Sequence, residues 1–450
     1  MDVFLCTGER SGDVIAADIA RELQQRAGGR LHIEGLAGPI AAAAGVRNVF
    51  GEDGLALVGA ERHRLRAWAH RLKVVAGLLQ RRPPKVFVGI THCTFNLPLG
   101  GLLPRQTYRM LVGPPEIWGW EPSSFARLVV GRPLSLLLWL RGDPFHWGHA
   151  ALVTAERGPM ALANFHELLC MLPMNDAAYR RLARRKRPGA RVRMVGHPLA
   201  QLHRTPALGS QAAALRVKLG IPQSAHVLGI FPGSRRGDIR VMLDTLLEAA
   251  VDVLNRRSDV YGVVSVADLC LEGSVRGAIA RAAERLRGQG QLLASLADAS
   301  VLLAASSHAL MASGTITLQA ACLAAPGTVA RMLPAHGLSV KFVRQAEVRG
   351  RKIPWSLPNA ILATQGADPE DLPYREFVYR RFRAPWIAES VFVGLPRGAY
   401  RPDGPCVLDS DVVARIRAAL QPSAEEGPAV AARPGAVLAV AETVLRRLGR

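Results

Sequence analysis

The sequence predicts an α/β protein with two Rossmann-like domains, and two observations support that class. The apolar run at 3–6 leads through a glycine-bearing turn at 7–13 into a helix-periodic segment at 14–26, which is the start of a βαβ unit. The same order of strand, glycine turn and helix returns at 227–254. A chain of 450 residues is also long enough for two or three domains.

The remaining elements of the first half follow from local pattern. Apolar runs at 85–90 and 108–112 predict two further buried strands. Residues 68–82 mix leucine and valine with arginine and lysine, so they predict an amphipathic helix. That helix either packs its apolar stripe on the core or lies on an anionic membrane surface.

The second half repeats this organisation. It predicts strands at 227–231 and 300–304, and helices at 239–254 and 312–324. Each helix follows a turn that contains glycine, as in the first half. We therefore expect a second parallel sheet with its own core.

Clusters of proline, glycine and serine predict the domain boundaries. Such a cluster at 198–210 divides an N-terminal domain at 1–205 from a second domain at 206–390. The tail at 391–450 contains linker-like stretches and two short helical segments. We expect this tail to pack back on the N-terminal domain.

The chain is strongly basic, with 57 Lys and Arg against 36 Asp and Glu and a formal net charge of +21. A hydrophobic content of 49% excludes a disordered chain. The charge points to a polyanion, which is nucleic acid, an anionic membrane surface or a phosphorylated substrate. The alternative is a high arginine content that reflects genome composition. The arginine-rich run at 180–193 lacks interleaved aromatic residues and any nucleic-acid motif, so nucleic acid is the disfavoured partner.

Cysteine usage and hydropathy predict the compartment. Six scattered cysteines form no Cys-x-x-Cys pair, which fits a reducing compartment and argues against a disulfide framework. The N-terminus enters a strand at once, without the regions of a signal peptide. The longest apolar stretch, 128–140, is shorter than the ~20 residues that span a bilayer. We expect a cytoplasmic protein without a transmembrane helix.

A candidate phosphate site lies in the turn Pro232-Gly233-Ser234-Arg235. A glycine turn between a strand and a helix leaves backbone N–H groups free at a helix N-terminus, and this geometry suits a phosphate. Arg235 adds a guanidinium that pairs well with phosphate oxygens. The alternative is an ordinary turn with a surface arginine.

A second turn, Ala312-Ser313-Gly314-Thr315, has the same character. Ser313 suits a helix cap, and Gly314 lets a ligand approach the backbone. Gln319 follows Thr315 by four residues and shares its helix face. Helix capping alone is the alternative, but two such turns in one domain favour a pocket for a nucleotide diphosphate.

The turn after the first strand is polar, and it lacks the G-x-G-x-x-G dinucleotide fingerprint. It reads Gly8-Glu9-Arg10-Ser11-Gly12-Asp13. Glu9 and Asp13 follow the C-terminal end of a strand, where open α/β sheets bind ligands. The alternative is a capped turn with Asp13 at the helix start.

Two metal-like patterns are discounted, and we expect neither a metal nor a cofactor. His146 and His149 have ligand spacing but no third ligand. Asp409 and Asp411 stand at a helix start, where capping explains them better. The aromatic loop at 114–120 either lines an acyl or sugar site or packs as a loop.

Taken together, these segments resemble the lipid-A-disaccharide synthase family, in the same order and with similar spacing over about 3–382. The matching motifs are Gly8 to Asp13, Val88-Gly89-Ile90 with Phe95-Asn96, the 113–120 loop, Val195-Gly196-His197-Pro198-Leu199, Pro232 to Arg235, Ala312 to Thr315 and Ser356-Leu357-Pro358-Asn359. The resemblance implies a GT-B fold, in which two Rossmann-like domains flank a cleft that holds the active site.

The resemblance also implies the reaction. A diacylglucosamine unit passes from its UDP donor to 2,3-diacylglucosamine 1-phosphate with inversion, and UDP is released without a metal. The enzyme is expected to lie peripherally on the inner face of the cytoplasmic membrane. By the same resemblance, Arg235 holds the pyrophosphate, and Ser313, Gly314 and Thr315 line the nucleotide pocket. The first turn and Asn96 face the acceptor.

The chain departs from the family pattern at the expected base. The family has Asp-Ala-Pro-Asp where this chain has Thr-His-Cys-Thr at 91–94, so both aspartates are absent. His92, with an ordinary pKa of about 6.5, is one replacement for the general base, and Glu9 is the other. Gln319 stands where the family has Glu, and it keeps one carbonyl oxygen for the ribose hydroxyls.

An insertion at about 129–160 is a further departure. Three hypotheses follow from these differences: a working synthase with a displaced base, a related transferase with another acceptor, and a relative that binds UDP-sugar or lipid without catalysis. A nucleic-acid-binding protein is the alternative from a different class, but it leaves the ordered glycine turns unexplained.

Overall fold

The computed structural model describes residues 1–8, 10–49, 62–115, 157–202, 207–234, 236–267, 269–288, 290–312, 315–323, 329–333, 347–348, 351–352, 361, 410–421 and 435–449. These residues form two compact units, one made of 1–198 with 420–449 and the other of 199–361 with 410–419. The boundaries predicted at 205/206 and 390/391 stay predictions, because those residues lie outside the described ranges.

The first unit contains a parallel sheet of seven strands. They are β1 (Val3–Cys6), β2 (Ile33–Leu36), β3 (Arg47–Asn48), β4 (Val86–Ile90), β5 (Tyr108–Val112), β6 (Glu167–Cys170) and β7 (Arg191–Met194). Their order is β3-β2-β1-β4-β5-β6-β7, so the direction of winding reverses between β1 and β4. The strands predicted at 3–6, 85–90 and 108–112 are confirmed as β1, β4 and β5.

The second unit contains a parallel sheet of five strands. They are β8 (His226–Phe231), β9 (Val260–Ser265), β10 (Gln291–Ser295), β11 (His308–Ala312) and β12 (Val329–Leu333). Their order is β10-β9-β8-β11-β12, and the winding reverses between β8 and β11. A short antiparallel pair, β13 (Glu347–Val348) and β14 (Arg351–Lys352), follows in the chain.

The described helices connect and cover these strands. In chain order they are α1 (Arg10–Arg26), α2 (Pro39–Ala43), α3 (Arg62–Arg81), α4 (Cys93–Leu102), α5 (157–164), α6 (Pro173–Lys186), α7 (Leu199–Leu202), α8 (Ala207–Lys218), α9 (Arg236–Arg256), α10 (Leu269–Ala283), α11 (Ala299–Ala305), α12 (Thr315–Leu323), α13 (Ser410–Ala419) and α14 (Gly435–Arg447). The predicted two-domain α/β class is therefore confirmed.

Side chains that alternate along β1 enter two different cores. Val3 and Leu5 pack with α1 and the C-terminal α14, whereas Phe4 and Cys6 pack with residues of α3, α4 and α6. All four are fully buried, because helices cover both faces of the sheet. This explains why the strand reads as a continuous apolar run rather than as an alternating pattern.

The strand predicted at 300–304 is wrong, because these residues form helix α11. The Asp298 side chain accepts a hydrogen bond of 2.8 Å from the Ser300 N–H and caps that helix. The strand lies one segment later, as β11. A short apolar run has no distinct period, so only the cap distinguishes the two structures.

Two helices begin earlier than predicted. α1 starts at Arg10 rather than at 14, and α9 starts at Arg236 rather than at 239. Each predicted turn therefore contributes residues to the first helical turn. In α1 this places Gly12 and Asp13 inside the helix.

The amphipathic helix predicted at 68–82 is confirmed as part of α3. Val75 and Leu79 are fully buried against the core, and Val74 is 38% exposed beside the exposed Lys73. Among the described residues, no helix combines the length and the apolar character needed to cross a bilayer.

Candidate active site

The described parts of four predicted motifs, those at 8–13, 88–96, 232–235 and 312–315, flank the two points where the sheets reverse their winding. Cys6 at the end of β1 lies opposite Gly89 near the end of β4, and Phe231 of β8 lies opposite Met311 of β11. Parallel α/β sheets bind ligands at such switch points, beyond the carboxyl ends of the strands. We call the ends of β1 and β4 the first edge, and the ends of β8 and β11 the second edge.

The first edge brings the turn after β1 into contact with the loop after β4. A Cβ added to Gly8 would lie 2.0 Å from Nδ1 and 2.1 Å from Cγ of His92, so the imidazole rests on the glycine backbone. Thr91 and His92 both have positive φ, at 48° and 33°. That conformation costs of order 1–3 kcal/mol per residue, and such strain clusters at functional sites.

Asn96 holds the two sides of this edge together from inside. Its side chain is fully buried, and Nδ2 donates to the backbone oxygens of Cys6 at 3.2 Å, Ile90 at 3.4 Å and Thr91 at 3.1 Å. Gly89 leaves the space for this side chain, because a Cβ there would approach Asn96 Cγ to 3.1 Å. Asn96 therefore ties the end of β1 to the end of β4.

Asp13 is committed to the backbone of a neighbouring turn. It is 1% exposed, and its carboxylate accepts N–H bonds from Gly38 at 2.7 Å and from Ile40 at 3.0 Å. These amides lie at the start of α2, so Asp13, which belongs to α1, caps α2 rather than its own helix. Ser11, by contrast, is exposed.

Three buried polar oxygens at the first edge have no hydrogen-bond partner within the described part of the chain. They are the hydroxyls of Thr7 and Thr91 and the side-chain oxygen of Asn96. Gly12 lies between the two threonines, since a Cβ there would be 2.9 Å from Thr91 Oγ1 and 3.4 Å from Thr7 Cβ. Buried polar groups are normally satisfied, so this set is suited to a ligand or to ordered water.

Arg157, at the start of α5, is a candidate that sequence reasoning missed. Burial lowers the pKa of its guanidinium, while Cys93 and Tyr179 raise it. Its Nε is buried and finds no partner among the described residues. The arginine thus stands near the start of α4, but no motif in the sequence marks it.

At the second edge, the described residues that belong to the motifs are more exposed than those of the first edge. Gly233 has φ of 111°, which disfavours any residue with a Cβ. Ser234 and Thr315 are exposed, and Gln319 of α12 is partly buried. Glu9, Arg235, Ser313 and Gly314 lie outside the described residues, as do His146, His149, Asp409 and most of the 114–120 loop.

The described residues contain no group of three His, Cys, Asp or Glu side chains arranged to hold a metal ion. In the Val195–Leu199 motif, the backbone N–H of His197 donates to the backbone oxygen of Leu420 at 2.8 Å. The φ of Gly196 is 78°, so this turn also favours glycine.

Comparisons with known proteins agree with the motif pattern. A family model described as lipid-A-disaccharide synthetase matches residues 3–134 and 156–340. The internal gap in this match, 135–155, falls within the insertion predicted at 129–160. The lipid-A-disaccharide synthase of Thiobacillus denitrificans is 30% identical over 371 residues, which cover 81% of this chain and 84% of that protein.

Solved structures support the fold. The glycotransferase of kitacinnamycin aligns with a TM-score of 0.51 at 14% identity, over 99% of each chain. The S. aureus MnaA protein, solved with UDP, aligns with a TM-score of 0.51 at 11% identity, over 100% of this chain and 97% of that one. With its two parallel α/β units and its matching motifs, the chain belongs to the lipid-A-disaccharide synthase family, whose members are lipid A glycosyltransferases of the GT-B fold.

Proposed function

We propose that the chain is an inverting hexosyltransferase that joins UDP-2,3-diacylglucosamine to 2,3-diacylglucosamine 1-phosphate. The products are lipid A disaccharide 1-phosphate and UDP. This proposal is supported by the family motifs that flank both switch points, and we assign one set of motifs to each substrate. It extends the family assignment to a specific donor and acceptor.

The second edge would bind the donor. Gly233 has φ of 111°, and α9 begins shortly after it at Arg236, so the free N–H groups of the first helical turn would receive the diphosphate. Ser234 and Thr315 are exposed and therefore accessible to the nucleotide. Arg235 would pair with the pyrophosphate, and Ser313, Gly314 and Gln319 would complete the pocket.

The first edge would bind the acceptor. Gly8, Ser11 and Gly12 would line it, while Asp13 and Asn96 shape it through the backbone groups that they hold. In the reaction, the acceptor hydroxyl oxygen bonds to the anomeric carbon of the donor. The bond to UDP breaks, and its electron pair leaves with UDP.

His92 would take the proton of that hydroxyl. Threonine at 91 and at 94 cannot act as a base near neutral pH, whereas a neutral imidazole can. Glu9, the next residue after Gly8, is the alternative base.

The absence of the family's aspartates also favours a second candidate function, transfer from the same donor class to another acceptor.

The helices α3 and α4 offer a surface for the membrane. Val74 is 38% exposed and Leu102 is 45% exposed, and the exposed Lys73 lies beside Val74. Gln80 Nε2 donates to the Leu102 oxygen at 3.2 Å, so the end of α3 contacts the end of α4. Apolar side chains mixed with cations suit an anionic lipid surface, here the inner face of the cytoplasmic membrane.

The proposed reaction is tested by incubating the purified protein in detergent with both lipid substrates and measuring disaccharide phosphate by mass spectrometry. We expect product from the parent protein and a loss of roughly 100-fold or more in His92→Ala and Arg235→Ala. Arg276→Ala, which removes an exposed arginine on α10, is the matched control and should retain activity.

Two outcomes would change the proposal. Full activity in His92→Ala would move the base to Glu9. No disaccharide from the parent protein, while it still binds UDP-sugar, would overturn the synthase proposal and favour the second acceptor or a non-catalytic role.

A further inference from the structure

We propose that Gly8 and Phe95 form a seat for the His92 imidazole, which makes them positioning residues for the base of this chain. The inference rests on the proposed function, in which His92 accepts the proton. It goes further by assigning a role to the first glycine of the Gly8–Asp13 motif and to a buried phenylalanine. The seat is defined by Gly8 on β1's turn and Phe95 on α4.

The ring is packed against both residues. The ring planes of His92 and Phe95 are stacked, with centroids 5.9 Å apart and an angle of 16°. Phe95 is fully buried, so it is a fixed platform. A Cβ at position 8 would lie within 2.1 Å of two ring atoms, which leaves no residue but glycine compatible with the ring in this place.

Backbone hydrogen bonds hold the loop that carries His92. His92 has φ of 33° and ψ of 52° and immediately precedes α4, whose Phe95 and Asn96 N–H groups donate to its oxygen at 3.1 Å. The Thr91 N–H donates to the Val112 oxygen at 2.8 Å. These backbone hydrogen bonds tie the loop to β5 and to α4, so the backbone that carries the ring is held in place.

This placement distinguishes the two ring nitrogens. Nδ1 is buried on the Gly8 side, whereas the residue as a whole is partly exposed. We infer that Nε2 faces the acceptor and takes the proton. A base that is held in place needs little reorganisation at the moment of transfer, which is the advantage that such a seat supplies.

The direct test is a double-mutant cycle with Gly8→Ala and His92→Ala. The added methyl group should displace the ring, so kcat of Gly8→Ala should fall to within about threefold of His92→Ala, with a small change in KM. In the His92→Ala background the ring is absent, and Gly8→Ala should add little further loss. Gly273→Ala, where an added Cβ meets nothing within 4 Å, is the matched control.

A readout independent of activity separates this inference from the proposed reaction. The His92 ring, labelled with ¹⁵N, is titrated by NMR in the parent, in Gly8→Ala and in Phe95→Leu, which keeps an apolar side chain at the platform. We expect its pKa or tautomer to change in both variants and not in Gly273→Ala. If the parent makes no disaccharide, the reaction fails while the titration still tests the seat.

Two results would overturn the seat. One is a multiplicative loss in the double variant, because Gly8 and His92 would then act independently. The other is an unchanged His92 titration in Gly8→Ala and Phe95→Leu. Either result would leave Gly8 as a glycine required for the turn alone.

Discussion

The first and second edges share one topology but use their side chains differently. At the first edge, Asp13 and Asn96 are buried and hold backbone groups, and Thr91 and His92 accept a strained conformation. At the second edge, Ser234 and Thr315 are exposed beside a glycine turn. We infer that the first edge is built by its side chains, whereas the second offers groups to a ligand.

This difference predicts opposite consequences of substitution. Changes at the first edge should lower the free energy of unfolding, because buried N–H and C=O groups lose their partners. Changes at the second edge should lower affinity for UDP and leave the fold intact. Asp13→Ala and Thr315→Val distinguish a loss of stability at the first edge from a loss of UDP affinity at the second.

Asp13→Ala should give the largest change. It leaves the Gly38 and Ile40 N–H groups without an acceptor in a buried place, which costs about 2–5 kcal/mol of the free energy of unfolding. Urea unfolding measures the loss, and UDP affinity should stay within twofold. Asp18→Ala, on the same helix and paired with Arg21 at the surface, should change stability by about 0.5 kcal/mol or less.

Equal stability of the Asp13 and Asp18 variants would contradict the claim that side chains of the first edge stabilise the fold. It would mean that the Asp13 carboxylate contributes nothing to the start of α2, and that it is free to act on a substrate. Acceptor binding would then be the measurement to repeat.

Thr315→Val should give a smaller and different change. The exposed hydroxyl at the start of α12 would lose one hydrogen bond to the nucleotide, which weakens UDP binding by roughly threefold to tenfold. Calorimetric titration with UDP measures the loss, and the free energy of unfolding should be unchanged within ~0.5 kcal/mol. Thr317→Val, buried in the same helix, is the control and should leave UDP binding unchanged.

A Thr315 variant that lost stability but kept its UDP affinity would mean that side chains at both edges stabilise the fold. The hydroxyl would then serve α12 and not the ligand. The nucleotide pocket would have to be placed on other residues of that edge.

Much of this organisation could be predicted from the sequence, and the part that could not has a physical cause. Apolar runs fixed β1, β4, β5 and β8, because strands buried on both faces are continuous in hydropathy. Residues 300–304 were indistinguishable from such a strand until the Asp298 cap was seen. The local pattern located a buried apolar segment there but did not determine whether it was a strand or a helix.

The site was predictable as a set of turns but not as an arrangement. The motifs identified Gly8, His92 and Asn96 as site residues. These residues lie together because β1 is next to β4 in the sheet, and strand order is a non-local property. That Asp13 reaches a turn 25 residues away follows from the pairing of β1 with β2. Arg157 had no signal at all, since only its burial makes it notable.

The smallest expected effect concerns the opposite end of the first sheet, which carries a polar cluster without a proposed ligand. His166 precedes β6, accepts the Arg109 N–H on Nδ1 at 3.1 Å and stacks on Tyr108 with ring centroids 5.0 Å apart. Burial lowers the pKa of His166, and the cations of Arg109, Arg187 and Arg447 lower it further. Glu167, the nearby acid, is engaged by Tyr108 and Arg193.

The sign of the pH dependence follows from that shift. At pH 7 the imidazole is mostly neutral in both the folded and the unfolded chain, because the ordinary pKa of histidine is about 6.5. As the pH falls below that value, the unfolded chain binds the proton first, so the free energy of unfolding decreases until the pH passes the lowered folded pKa. His166→Asn, whose amide oxygen can still accept the Arg109 N–H, should show a flatter stability profile between pH 7 and 5 and unchanged UDP binding. A profile as steep as that of the parent would show that protonation of His166 does not cause the loss of stability in this pH range.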